Sequence, residues 1–384
     1  MFRTLRLPND WAEAHWLLNY DYGFIKRALP GFILKHFINY SNAEFIISFI
    51  SSFFLTLFFI LLLIISYRIL KITNFSGSDI LMTALVFSSP FVVMSGHING
   101  YADNIILTVS IISIFLITKN KIFAASLLIA VTFFIHESIL ILGFPSILCL
   151  AYIKYLKENS ENSVYKFIKK HLTLIILPLA AFLTIFINQL LINSKEVEAN
   201  LITHLSEYSF IKEGRNTLVP EEITTSFFYF FETQSRKFFR RMVSYPTVYN
   251  SPTIFLLVLY IYKVIKKSGF NRKEFAAVLA VIILPLSLHL IAWDTSRIWT
   301  YPIITCFIFL WGLNELNFSF KIDESTLFYF LSGVVIICNI FFAIPLMDNE
   351  VERFSNLTKA LIYLPPVIFL LYLVYKKNTT KTSA

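Results

Sequence analysis

Apolar runs of bilayer length recur along this chain from about residue 44 to residue 375, separated by short polar segments. A helix needs about 20 residues to cross a hydrocarbon core of ~30 Å. The runs predict spans at 44–67, 79–95, 104–118, 122–135, 138–153, 171–193, 253–267, 275–292, 299–314, 326–346 and 359–375. The expected fold is therefore an all-α polytopic membrane protein of about eleven transmembrane helices. Residues 122–153 are the critical stretch. As one helix they would extend about 48 Å at 1.5 Å per residue, too long for the core without strong tilt. His136-Glu137 interrupts the run and lysines flank both ends, which favours a hairpin with those two residues at its tip. A single span would invert everything before it.

Four units follow from this pattern. Residues 1–43 form a segment in which Trp11, Trp16, Tyr20, Phe24, Leu29, Phe32 and Ile33 interleave with polar positions, as in interfacial helices lying in the headgroup plane. Residues 44–193 are an N-terminal transmembrane bundle, 194–252 the one large hydrophilic loop, and 253–384 a C-terminal bundle with its tail. The first 40 residues hold no apolar stretch of the length a cleavable signal peptide needs.

Composition agrees with this reading. Hydrophobic residues make up 57% and charged residues 15% of the 384, against roughly 25% charged in a soluble domain. The net charge of +9 would suggest nucleic acid in a soluble protein. Here the basic residues sit in short loops beside spans, and no nucleic-acid motif is present. Arg68, Lys71, Lys119, Lys121, Lys154, Lys157, Lys166, Lys169, Lys170, Lys266, Lys267, Arg272, Lys273, Lys321, Lys376, Lys377 and Lys381 all fall on one side of the alternating spans. The positive-inside rule makes that side cytoplasmic, puts the C-terminus there and leaves residues 1–43 and 194–252 outside. Net positive charge also favours anionic membrane lipids as partners. Cys149, Cys306 and Cys338 lie far apart inside expected spans and read as small apolar core residues rather than a disulfide framework.

Five polar clusters carry candidate chemistry, and this topology puts all of them on the outer side. NYDYGFIKRALPG, 19–31, sets Asp21 among aromatics before Lys26 and Arg27. A carboxylate beside cations can serve a base or a metal and a phosphate, or the segment is an interfacial anchor. GHINGYAD, 96–103, offers His97 and Asp103, six residues apart in a loop that two glycines allow to be tight. They can converge on one metal or proton, or Asp103 caps a helix. His136-Glu137 is an ionisable pair inside an apolar run, a functional position unless a hairpin tip exposes it to water. HLIAWDTSRIW, 289–299, spaces Asp294 and Arg297 three apart. Arg297 can fork onto a phosphate, or Asp294 or Thr295 caps a span. SRKFFRRMVSYP, 235–246, alternates Arg236, Lys237, Arg240 and Arg241 with Phe238, Phe239 and Met242, a basic amphipathic helix suited to headgroups or a pyrophosphate.

This layout resembles the polyprenyl-phosphate-dependent membrane glycosyltransferases of the GT-C superfamily. It is also similar to the polymerases of bacterial surface polysaccharide, of the O-antigen type. In the GT-C pattern a first outer loop forms juxtamembrane helices and carries a catalytic acid, a second carries another acid, and later loops bind the lipid phosphate. The resemblance makes Asp21 and Asp103 the matching acids and gives Arg297 or the Arg236–Arg241 patch the phosphate. It implies a bacterial inner-membrane enzyme that moves sugar from a polyprenyl-linked donor to a glycan or lipid acceptor at the outer face. Asp21, Asp103, Glu137 and His136 are then the catalytic candidates. Lys26, Arg27, His97, Arg236, Arg240, Arg241, Asp294 and Arg297 are the substrate- and phosphate-binding ones. No cofactor is certain. Magnesium or manganese stays open, with Asp21 and Asp103 as its ligands, because the second loop has no paired-acid DxD. The competing classes are a lipid or polysaccharide flippase and a non-enzymatic membrane subunit.

Overall fold

A computed structural model describes residues 3–159, 163–191, 194–270, 272–318, 325–347, 350, 352, 354–365, 368 and 372. Its elements are helical. Short α1 (Asp10–Leu17) and α2 (Leu29–Leu34) precede the long α3 (Ala43–Ile72). Then follow α4 (Gly77–Ser88), α5 (Pro90–His97), α6 (Asp103–Thr118), α7 (Ile122–Ile135), α8 (Ile139–Leu142), α9 (Phe144–Glu158), α10 (Val164–Lys170) and α11 (Leu172–Leu191). The expected large loop folds as α12 (Ser194–Ser206), α13 (Arg215–Thr224), α14 (Phe227–Ser235) and α15 (Phe238–Met242). The chain closes with α16 (Tyr245–Lys267), α17 (Arg272–Ile283) running into a 3-10 turn at Leu284–Leu290, α18 (Thr295–Glu315) and α19 (Thr326–Phe341).

Among the described residues, seven helical stretches are long and apolar enough to cross a membrane: Ala43–Ile72, Gly77–His97, Ile139–Glu158, Leu172–Leu191, Tyr245–Lys267, Arg272–Leu290 and Thr295–Glu315. The protein is a multi-pass, all-α membrane protein. The expected spans at 104–118, 122–135 and 326–346 are helices of 14 to 16 residues, short for a ~30 Å core. The expected span at 359–375 falls only partly on described residues, and the tail at 376–384 and Lys321 lie outside them. α16 starts at Tyr245, eight residues before the expected boundary at 253. Pro246 opens it, where a missing N–H is harmless, and Asn250 answers the Pro246 carbonyl from within the helix at 2.8 Å. At Pro90 the Gly77–His97 stretch breaks, and the Ser89 hydroxyl satisfies the Val86 carbonyl at 2.6 Å, so the break leaves that group paired inside the membrane.

Burial sorts the helices. Within Thr295–Glu315, 89% of the best membrane-length window is covered by protein, against 28% for Ala43–Ile72 and 22% for Leu172–Leu191. α18 is therefore the central post, while α3 and α11 turn broad apolar faces to lipid.

Residues 122–153 form a hairpin. His136 is extended (φ −166°, ψ 127°) and ends α7. Lys154, near the end of α9, donates to the Ile117 and Thr118 carbonyls at 2.8 and 3.2 Å and to Asn120 Oδ1 at 2.6 Å. Asn120 lies two residues before the start of α7, so both feet of the stretch stand at one end of the bundle. That basic end also joins Lys157 to the Leu316 and Asn317 carbonyls and Arg68 to Glu315. The opposite, polar end gathers residues 3–42, the 98–102 loop, the 136–138 tip and the 291–294 loop.

The segment before α3 is docked rather than lying free in the headgroup plane. Asn9 caps α1 by accepting the Ala12 N–H at 2.9 Å. Trp16 is buried and donates to the Gly100 carbonyl at 2.7 Å. Ala14, Leu17 and Leu18 are buried too, whereas Phe24, Phe32 and Ile33 stay exposed.

Candidate functional site

Arg27 is the hub of the polar end. Its backbone is left-handed (φ 63°), which costs an L-residue roughly 1–2 kcal/mol. The conformation aims the guanidinium between the hairpin tip and α13. Nε donates to both Glu137 oxygens at 3.1 Å, Nη2 makes a shorter bond to the same carboxylate, and Nη1 reaches Glu222 Oε1 at 2.8 Å. Nη1 also lies 3.1 Å from His15 Nε2. His15 Nδ1 is 2.8 Å from the Trp11 carbonyl, which can only accept, so Nδ1 carries the proton and Nε2 accepts from Arg27. Four of the five guanidinium protons are thus committed.

Protonation states follow from this geometry. Burial works against ionising Glu137 and Glu222, but the Arg27 charge overrides it. Glu137 is held well below the ordinary carboxylate value, and Glu222 at about 2. Burial, then the Arg27 charge, brings His136 down to about 3. The Ser138 N–H donates to His136 Nδ1 at 3.1 Å, so the neutral ring keeps its proton on Nε2 and offers a donor. Lys26 is buried, and burial lowers its ammonium to about 8 against the pull of Glu137 and Glu222. It lies 5.5 Å over the Phe230 ring and makes no salt bridge among the described residues.

A second network adjoins the first, near enough that the Asp103 charge acts on His136. Asp103 opens α6. The cap position is Ala102, and the Asp103 carboxylate accepts the Tyr301 hydroxyl and stands 3.6 Å from Arg297. Arg297 closes on Asp294 at 2.6 Å and lies 5.3 Å over Tyr101. Asp294 sits at the N-cap of α18 without a cap bond: its carboxylate goes to Arg297.

The structure therefore brings together Lys26, Arg27, His136, Glu137, Asp103, Asp294 and Arg297. Asp21 is excluded. It pairs with Lys35 on the surface, its side chain half exposed, because the Asn19 cap turns residues 20–22 into a 3-10 turn facing outward. Asp21 and Asp103 hence do not share a metal site, and among the described residues no group of three His, Cys, Asp or Glu is arranged for one. His97 is buried at the end of α5, 3.8 Å from Glu350, with its carbonyl taken by Arg6 at 2.8 Å. The 235–246 segment is not one amphipathic helix, for it breaks between α14 and α15. Arg236 pairs with Glu232 in solvent and Arg240 is exposed. Arg241 turns inward to the His289 and Ala292 carbonyls, both at 2.9 Å, where the irregular 3-10 turn leaves acceptors in need of a donor. The residues missed were His15, Glu222 and Tyr301. Glu222 follows Glu221 and Pro220 with no local signal, and the other two looked like ordinary interfacial and span positions.

No family model, no curated protein and no solved structure matches this chain.

Proposed function

We propose that the protein is a membrane glycosyltransferase that moves sugar from a polyprenyl phosphate or pyrophosphate donor at the outer face of a bacterial inner membrane, in surface-polysaccharide assembly of the O-antigen-polymerising kind. The observation that carries this reading is the ionised, hydrogen-bonded centre at the polar end, with the Lys26 ammonium left over beside it. Lys26 meets the donor phosphate. The remaining Arg27 proton and the His136 Nε2 proton supply further donors to its oxygens. Glu137 and Glu222, locked by Arg27, are weak bases and serve to position it. Asp103, whose Oδ2 stands 3.6 Å from Arg297 and so beyond a hydrogen bond, takes the acceptor hydroxyl's proton as the new glycosidic bond forms. In the same step the anomeric carbon–oxygen bond to the phosphate breaks, and its electron pair leaves with the phosphate. General-base help of this kind contributes about 10²–10⁴ in rate. Lys154, Lys157 and Arg68 at the basic end support a cytoplasmic orientation for that end.

The test is release of polyprenyl phosphate or pyrophosphate from lipid-linked oligosaccharide by purified protein in detergent, where no compartments exist for transport. The account expects release by the wild type and a loss of about 10²-fold or more in Asp103→Asn. A wild type that releases nothing favours the flippase or the structural subunit.

Lys26 sets a pH dependence. Arg27, Glu137 and Glu222 are the charged groups around it. Below about 8 the ammonium is charged; above, it is neutral and loses its hold on the phosphate. We expect kcat/KM to fall about tenfold per unit above that pH, and Lys26→Arg to move the fall out of the measured range. An unchanged profile in Lys26→Arg would remove Lys26 from donor binding.

A further inference from the structure

Across α1 from Arg27 the surface carries a second assembled cluster. His204 of α12 reaches over α1, its Nε2 3.2 Å from the Leu17 carbonyl. Its ring stands 5.1 Å from Tyr22 and 5.4 Å from Tyr208. Tyr40, just before α3, packs 5.1 Å from Tyr208 and donates its hydroxyl to Glu207. Burial first, then the charges of Glu207 and Asp21, holds the Tyr22 phenol above its ordinary value, so both carboxylates flank these rings. Burial likewise keeps His204 toward its neutral form. Three separate stretches, the 20–22 turn, the 35–42 linker and the end of α12, converge here.

We propose that Asp21, Tyr22, Tyr40, His204 and Glu207, backed by the buried Tyr208 ring, form a binding site for a neutral oligosaccharide. Tyrosine rings give large, rigid, amphipathic platforms at low entropic cost, which suit the C–H faces of a pyranose. Ionised carboxylates are pure acceptors, and sugars are dense in hydroxyl donors. Bonds to an ionised acceptor are roughly twice as strong as neutral ones. Lys35 offsets one of the two negative charges, and the residual negative charge disfavours acidic glycans. It also disfavours anionic headgroups, which sets this patch apart from a basic aromatic membrane belt. α1 separates the patch from the Arg27 centre, and the packed pair α12 and α13 carries His204 on one helix and Glu222 on the other. A chain lying across α1 would therefore extend from one to the other. Under the reading above this chain is the acceptor glycan, and that role rests on that reading; the binding itself does not.

Titration of the purified full-length protein in detergent with neutral tetrasaccharides (maltotetraose, chitotetraose and mannotetraose), followed by saturation-transfer NMR, tests this. Hyaluronan tetrasaccharide is the acidic control. Tyr40→Ala and Glu207→Gln alter exposed side chains and keep the fold, checked by an unchanged unfolding midpoint. Expected is saturable binding of at least one neutral probe, weakened tenfold or more in both variants, with the acidic probe weaker than the neutral one. No saturable neutral binding, unchanged binding in the variants, or equal binding of the acidic probe overturns the proposal. So does a loss in the variants confined to phosphatidylglycerol vesicles, which would make the patch a lipid contact. Binding without any release of polyprenyl phosphate would keep this site and refute the transferase.

Discussion

Arg27→Met is expected to leave little stably folded protein. The substitution strands Glu137 and Glu222, two half-buried carboxylates that Arg27 bridges; removing one partner of a fully buried pair costs about 3–5 kcal/mol, which sets the upper bound here. It also unties the hairpin tip from α13, since both are held through that guanidinium. Arg27→Lys keeps the charge but loses the fork and should fall between. Arg27→Met combined with Glu137→Gln and Glu222→Gln removes the stranded charges, so it should regain much of the folding and none of the transfer. The pH dependence has a defined sign. In the wild type Glu222 lies at about 2, below its ordinary 4.5, so its contribution is complete above about 4.5 and is lost as pH falls toward 2. Without Arg27, burial raises both carboxylates, and the variant should lose stability as pH rises from 5 to 8. Thermal unfolding of the purified proteins across that range reads both effects. A variant within about 0.5 kcal/mol of wild type, the ordinary scale of a surface change, would show that Arg27 does not hold the site.

Gly31→Ala is the second large effect. A Cβ there would overlap the Leu18 carbonyl oxygen and lie 2.7 Å from its carbon and 2.8 Å from the Trp16 carbonyl oxygen. These are backbone atoms, so no rotamer change relieves them, and α2 must move off α1. Overpacking of this kind costs about 1–3 kcal/mol and occasionally more; contact with backbone places this case at the upper end. The chain between α1 and α2 carries Lys26 and Arg27, and a displacement of about 1 Å at a catalytic centre lowers rate about 10²-fold. Gly333→Ala is the control, because nothing lies within 4 Å of a Cβ there. Expected are a lower unfolding midpoint and loss of transfer for Gly31→Ala and neither for Gly333→Ala. Equal behaviour of the two would contradict the close packing of α1 on α2.

Local pattern made the membrane class and the 122–153 hairpin legible, because an ionisable pair in an apolar run and lysines at its feet have few other placements. The same pattern misplaced Asp21. Its aromatic neighbours signalled a site, but the Asn19 cap turns it outward, and a cap two residues away is weak evidence of direction. Arg241 shows the limit of helical spacing. Periodicity assigned it to a lipid face, while the carbonyls of the 3-10 turn, about fifty residues later, drew it inward. The pairing of Arg27 with Glu222 spans 195 residues and rests on tertiary packing alone. Which of Glu221 and Glu222 points inward depends on the rotation of α13, which no neighbour in sequence discloses. The expected runs 104–118 and 122–135 match α6 and α7 almost residue for residue and are themselves shorter than a ~30 Å core needs; only the 326–346 run passes its helix, which ends at Phe341.

The most direct measurement is labelling of intact cells with a membrane-impermeant thiol reagent. Single cysteines stand at Ala102, Trp293 and Asn120 in a background lacking Cys149, Cys306 and Cys338. The account predicts that Ala102→Cys and Trp293→Cys label from outside and Asn120→Cys does not. Labelling of only one of the first two, or of Asn120→Cys from outside, would mean that Asp103, Arg297 and the Arg27 centre do not share an outer face, and the site described above would not exist.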